Sequence, residues 1–155
     1  MSRAFVKEND DGIERDLLER PVSAHRNLVT SSGLEAIEQT LRSLEIRLSA
    51  ARASDDAAAV ARLQRDARYW RARRSTAELV PAHSAKDARV RFGSRISIRL
   101  SGGEMRLFRI VGEDEADPSL GLISYVAPVA KGMLGADIGD TVDTGAGDGE
   151  VLEIS

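Results

Sequence analysis

The stretch SGLEAIEQTLRSLEIRLSAARASDDAAAVARLQRDARYWRAR, residues 32–73, decides how this chain folds. Leu34, Ile37, Leu41, Leu44 and Leu48 recur at spacings of 3, 4, 3 and 4, the seam of a coiled coil. The pattern breaks at Ser54-Asp55-Asp56 and resumes as Val60, Leu63, Ala67, Trp70 and, less strongly, Ala77, with Arg74 at the intervening seam position. Ser32-Gly33-Leu34-Glu35 has the form of a capping box, so the first helix is expected to run from there to about Arg52. Ser54 or Asp55 is placed to cap the second helix, both Asp side chains suit its positive end, and Pro81 is expected to close it. Two helices with one seam each and a short connection predict an antiparallel hairpin, a rod of about 30 Å. A single narrow seam is marginal alone, so the rest of the chain must anchor it.

Beyond Val90 the period shifts towards two. VRFGSRISIRL puts Ile96, Ile98 and Leu100 on one face, Ser101-Gly102-Gly103-Glu104 reads as a hairpin turn, and MRLFRIV follows as a second strand. LISYV and GEVLEIS predict two more strands. Between them, Pro128 suits a first helical turn and Gly135 a C-terminal stop. The expected class is α+β: an N-terminal antiparallel helical hairpin, then a small antiparallel sheet carrying one short helix. The segments are an extended or disordered arm (1–30), the hairpin (31–80), a linker (81–88) and the C-terminal domain (89–155).

Composition narrows the chemistry. With no cysteine among 155 residues, disulfides, thiolate catalysis and Cys-based metal sites are excluded. The net charge is −3, distributed as −1, +2 and −4 over residues 1–30, 31–80 and 81–155. The chain is therefore no general polyanion binder, yet its middle is basic and its end acidic. No apolar run approaches the ~20 residues of a membrane span, and the start lacks the apolar centre of a secretory signal. The expectation is a cytoplasmic monomer.

FRIVGEDEAD (108–117), LISYVAPVAKGMLGADIGD (122–140) and GEVLEI (149–154) resemble the C-terminal domain of the GreA/GreB transcript cleavage factors, and the heptad hairpin is what that family carries in front of it. MSRAFVKE (1–8) and ERPVSAHRNLVT (19–30) look like the leader of a GreB-like branch. The resemblance implies an FKBP-like C-terminal domain that docks on bacterial RNA polymerase at the rim of its secondary channel. It implies a hairpin that enters the channel, with acidic tip residues helping to hold a catalytic Mg²⁺ and a water while polymerase cleaves the backtracked nascent RNA. The protein would then be a cofactor of polymerase rather than an enzyme, with no cofactor or stably bound metal of its own.

Carried onto this sequence, the resemblance makes Asp55 and Asp56 the tip residues. The family tip resembles Gly-Asp-x-x-Glu-Asn; Asp56 matches its Asp, while Ala59 stands where it has Glu. The arms also look shorter than in typical members, by roughly a heptad or about 10 Å. These departures favour the alternative of a channel-occupying modulator or competitor that does not stimulate cleavage. On the second helix, Arg62, Arg65, Arg68 and Arg71 form a basic stripe suited to RNA phosphates or acidic channel walls, against the plainer reading of a solvated face answered by Glu35, Glu38 and Glu45. Pro128, Leu134 and Asp114 are the docking candidates, Ala127 replacing the family's Ser at that helix. Glu113, Asp114, Glu115 and Asp117 lack calcium-loop spacing and read as an exposed acidic turn. His25 and His83 have no second ligand at metal spacing. Trp70 reads as core and Tyr69 as outward-facing. Prolyl isomerisation, the remaining activity of an FKBP-like domain, needs an aromatic-lined pocket, for which residues 83–155 offer only Phe92, Phe108 and Tyr125.

Overall fold

The computed structural model of the chain describes residues 17–82 and 89–155. Most of the expected arm, part of the linker and His83 lie outside the described residues. The described residues divide into two compact units: one takes in residues 17–24 with Glu38–Ser75, the other His25–Ile37 with residues 76–82 and 89–155.

The heptad seam folds as its spacing predicts. Helix α1 (Ser31–Ala53) and helix α2 (Ala57–Ser75) are joined by three residues. Leu44, Leu48 and Ala51 of α1 are buried with Leu63 and Ala67 of α2, and Ala59, Val60 and Trp70 pack against that cluster. Ile46, off the seam, is exposed. The caps differ from expectation. At α1, Thr30 rather than Ser32 is the cap: its Oγ1 accepts from the Gly33 N–H at 3.0 Å and its carbonyl from the Leu34 N–H at 2.9 Å. Pro81 does not end α2. The helix stops at Ser75, and the chain turns directly into a short strand.

That strand, β2 (Glu78–Leu79), lies parallel to β1 (Leu28–Val29), a pair too short to leave a period in the sequence. Gly112 passes close beneath it. A Cβ there would stand 2.4 Å from the Leu28 carbonyl oxygen, so only glycine admits this approach. The main sheet has five strands: β3 (Arg95–Leu100), β4 (Met105–Val111), β5 (Leu122–Ser124), β6 (Thr141–Asp143) and β7 (Asp148–Ile154), in the order β5-β4-β3-β7-β6. The expected all-antiparallel sheet is in fact mixed. β5 runs parallel to β4 because the chain between them doubles back through a 3₁₀ turn at Pro118–Leu120. β3 pairs antiparallel with both β4 and β7 and supplies Ile96 and Ile98 to the core. Helix α3 (Pro128–Met133) buries Ala130 and Met133 against that core, beside Ile110 and Val151. Hydrophobic alternation on β3 is thus satisfied by one helix and the curling strands around it, whereas β4 buries the consecutive Ile110 and Val111.

Candidate functional site

The α1–α2 turn is built from backbone chemistry before any charge is considered. The Asp55 N–H donates to the Arg52 carbonyl (3.2 Å) and the Asp56 N–H to the Ala51 carbonyl (3.0 Å). That pair of bonds is the Schellman ending of a helix, which requires a left-handed residue, and Asp55 holds φ at +57°. Asp55 thereby occupies the place where the Gly-Asp-x-x-Glu-Asn pattern has glycine. Asp56 starts α2: its carbonyl accepts from the Val60 N–H and its Oδ1 from the Ala59 N–H, both at 2.9 Å. The cap of α2 is therefore Asp56, not Ser54 or Asp55. Both carboxylates are exposed, and one turn further on Ala59 adds none. Among the described residues there is no cluster of three or more His, Asp or Glu that could hold a metal.

The basic run on α2 separates into individual fates. Arg62 and Arg71 are exposed and enter no ion pair among the described residues. Arg65 pairs with its neighbour Asp66 at 3.0 Å. Arg73 is fully buried, and Arg74 pairs with Glu38 across the hairpin at 2.9 Å. Arg68 is answered from the leader rather than from α1: its Nε donates to both Glu19 carboxylate oxygens, at 3.0 and 3.2 Å. Those bonds, with the Arg68 and Arg65 charges behind them, hold the Glu19 carboxyl below its ordinary 4.5 and raise Arg68 in turn. Next to Glu19, the Arg20 guanidinium lies 3.8 Å from the centroid of the Tyr69 ring and 3.8 Å from Asp66. Tyr69 meets Trp70 edge to face at 5.2 Å. The expectation of an outward Tyr69 is met with a difference: a leader side chain covers it. Sequence reasoning had no signal for this strap, since 49 residues separate Glu19 from Arg68.

In the second unit, Pro128 opens α3 and is exposed, while Leu134 closes it at 36% exposure. Ala127, at the N-cap, makes no side-chain cap bond, as its replacement of serine implies. Asp114 sits half-buried in the segment after β4, away from α3 in sequence. The acidic turn around it, expected to be exposed, is half-buried because its carboxylates are engaged in the structure. Glu115 accepts from the Thr30 hydroxyl at 2.5 Å and the Ser32 hydroxyl at 2.9 Å, with Arg109 3.9 Å away. Asp117 caps the 3₁₀ turn through the Ser119 N–H. Phe92 and Tyr125 meet edge to face, and the Tyr125 hydroxyl donates to the Arg26 carbonyl, so these aromatics serve packing.

Comparison with known proteins gives this geometry its context. Residues 85–155 match the family described as transcription elongation factor GreA/GreB, C-terminal. Transcription elongation factor GreA of Nautilia profundicola is 31% identical over 138 residues, covering 77% of this chain and 85% of that protein. GreB of Pasteurella multocida is 29% identical over 147 residues, covering 83% and 93%. The solved GreA/GreB factor of Nitrosomonas europaea superposes with a TM-score of 0.40 at 22% identity, covering 83% of this chain and 98% of that one. By identity over nearly the whole length of such relatives, this chain belongs to the GreA/GreB family of transcription elongation factors.

Proposed function

We propose that the protein is an elongation factor that binds RNA polymerase at its secondary channel and promotes cleavage of backtracked nascent RNA. The observation that carries this reading is the α1–α2 turn, where two exposed carboxylates stand side by side at the end of a helical hairpin. Oxygen ligands of that kind add affinity for a hard divalent cation and orient its water. The Mg²⁺ belongs to polymerase, and no residue of this chain is catalytic by itself. Arg62, Arg65, Arg68 and Arg71 serve as contacts to RNA phosphates or channel walls. Pro128, Leu134 and Asp114 serve the docking of the second unit.

A second reading, channel occupancy without stimulated cleavage, is favoured by one specific observation. Ala59 offers no carboxylate and Oδ1 of Asp56 is already engaged by the Ala59 N–H. The leading reading is tested in the variant Asp55→Asn/Asp56→Asn. Asparagine tolerates the left-handed conformation and caps a helix, so folding is kept while both charges go. Under the leading reading, stimulated release of 3′ RNA fragments from backtracked complexes falls by about 10–100-fold, the scale for groups acting on a metal's water, with polymerase binding retained. Undiminished stimulation in the variant would remove the tip carboxylates from the mechanism.

A further inference from the structure

Two consecutive leader residues engage two consecutive residues of α2. Glu19 presents its carboxylate oxygens to Arg68, and Arg20 lies over the Tyr69 ring at stacking distance. A phosphodiester offers the same pair of anionic oxygens as a carboxylate, and arginine binds both in the same forked manner. A guanidinium is planar and delocalised, as a nucleobase is, and aromatic rings stack on either. An anion joined to a flat group is the outline of one nucleotide. An open cavity lined by Leu17, Glu19, Ala61, Gln64 and Arg68 continues the site along α2.

We propose that Arg68 and Tyr69 form a subsite for one nucleotide of single-stranded RNA, phosphate on Arg68 and base on Tyr69, and that Glu19-Arg20 fills it as an internal stand-in until RNA displaces the strap. The proposal deepens the reading of α2 as an RNA-facing helix and rests on it for its biological setting. It assigns Tyr69 the base contact and gives the leader a role: raising the threshold for RNA binding. Both partners of the Glu19–Arg68 pair are about half exposed or more, so exchange for an external ligand requires no unfolding of the hairpin.

The probe is oligouridylate, a single-stranded RNA without structure of its own, titrated into the full chain. The readout is fluorescence of Trp70, the only tryptophan and a ring neighbour of Tyr69. Glu19→Gln/Arg20→Gln should bind about tenfold more tightly than the parent, the scale of one stacked base, with a steeper salt dependence as Arg68 becomes available. Adding Tyr69→Ala should abolish that gain. Arg20→Lys keeps a cation near Asp66 but loses the planar stack, and should tighten binding by a smaller factor. Helical circular dichroism at the parent level accompanies each variant. A double variant that binds no more tightly, or a gain that survives Tyr69→Ala, overturns the proposal. The polymerase reading is tested separately by Asp55→Asn/Asp56→Asn on backtracked complexes, a variant that leaves Arg68 and Tyr69 in place. Undiminished stimulation there, with the oligouridylate gain intact, would refute the tip mechanism and leave the subsite standing.

Discussion

Asp55 holds a backbone conformation that glycine adopts at less cost, and it contributes a carboxylate that glycine lacks. The left-handed region costs an ordinary L-residue about 1 kcal/mol or more, less for Asp and Asn. Asp55→Gly should therefore stabilise the hairpin by about 0.5–1 kcal/mol, seen as a higher urea midpoint in Trp70 fluorescence. The same change should reduce stimulated cleavage. Stability and activity moving in opposite directions would mark Asp55 as kept for its charge. A loss of stability would mean the Schellman ending is misassigned. Little of this was visible from the residues in a row. Ser54, Asp55 and Asp56 are all good capping residues, and only the bonds at the turn select Asp56 for the cap and Asp55 for the left-handed position. The turn itself was legible, because three polar residues interrupt a seam that is otherwise sustained.

At the scale of elements, the helices were legible because their seam repeats, and the burial of Ile37, Leu44, Leu48, Leu63 and Ala67 follows it. The start of α1 was not, because its partner is distant. Glu115, 83 residues from Ser32, accepts from both Thr30 and Ser32, and no local pattern announces such a bond. Glu115 is only 11% exposed at its side chain, so its hydrogen bonds are shielded from water. Glu115→Ala should cost about 1.5–3 kcal/mol, the range for a charged hydrogen bond, and leave two hydroxyls without their acceptor. Hydrogen exchange at the Leu34 amide, bonded to the Thr30 carbonyl, should accelerate before that of the seam amides. Unchanged exchange at Leu34 would show that Thr30 caps α1 without help. The parallel β4–β5 pair and the two-residue β1–β2 pair were missed for a related reason: alternation identifies a strand but says nothing of its neighbour.

At the scale of the whole molecule, the charge count by segment pointed to a basic middle and an acidic end, and that division corresponds to different work. The C-terminal acids are partly consumed in caps and anchors, as Glu115 and Asp117 show. The basic middle is partly answered from the leader, which a segment count treats as separate. The tip carboxylates, Arg62 and Arg71 stay exposed and are among the groups the proposed function uses. Family membership was legible from separated motifs in the right order, and identity along most of the chain bears it out. The proposed mechanism turns on whether this turn, with Ala59 one helical turn on, serves polymerase's metal. The direct measurement adds the purified protein to deliberately backtracked polymerase complexes carrying end-labelled RNA and Mg²⁺, and follows release of short 3′ fragments. The account predicts release faster than polymerase's intrinsic rate. Release at the intrinsic rate, with binding to the complex confirmed, would contradict it and make the protein an occupant of the channel instead.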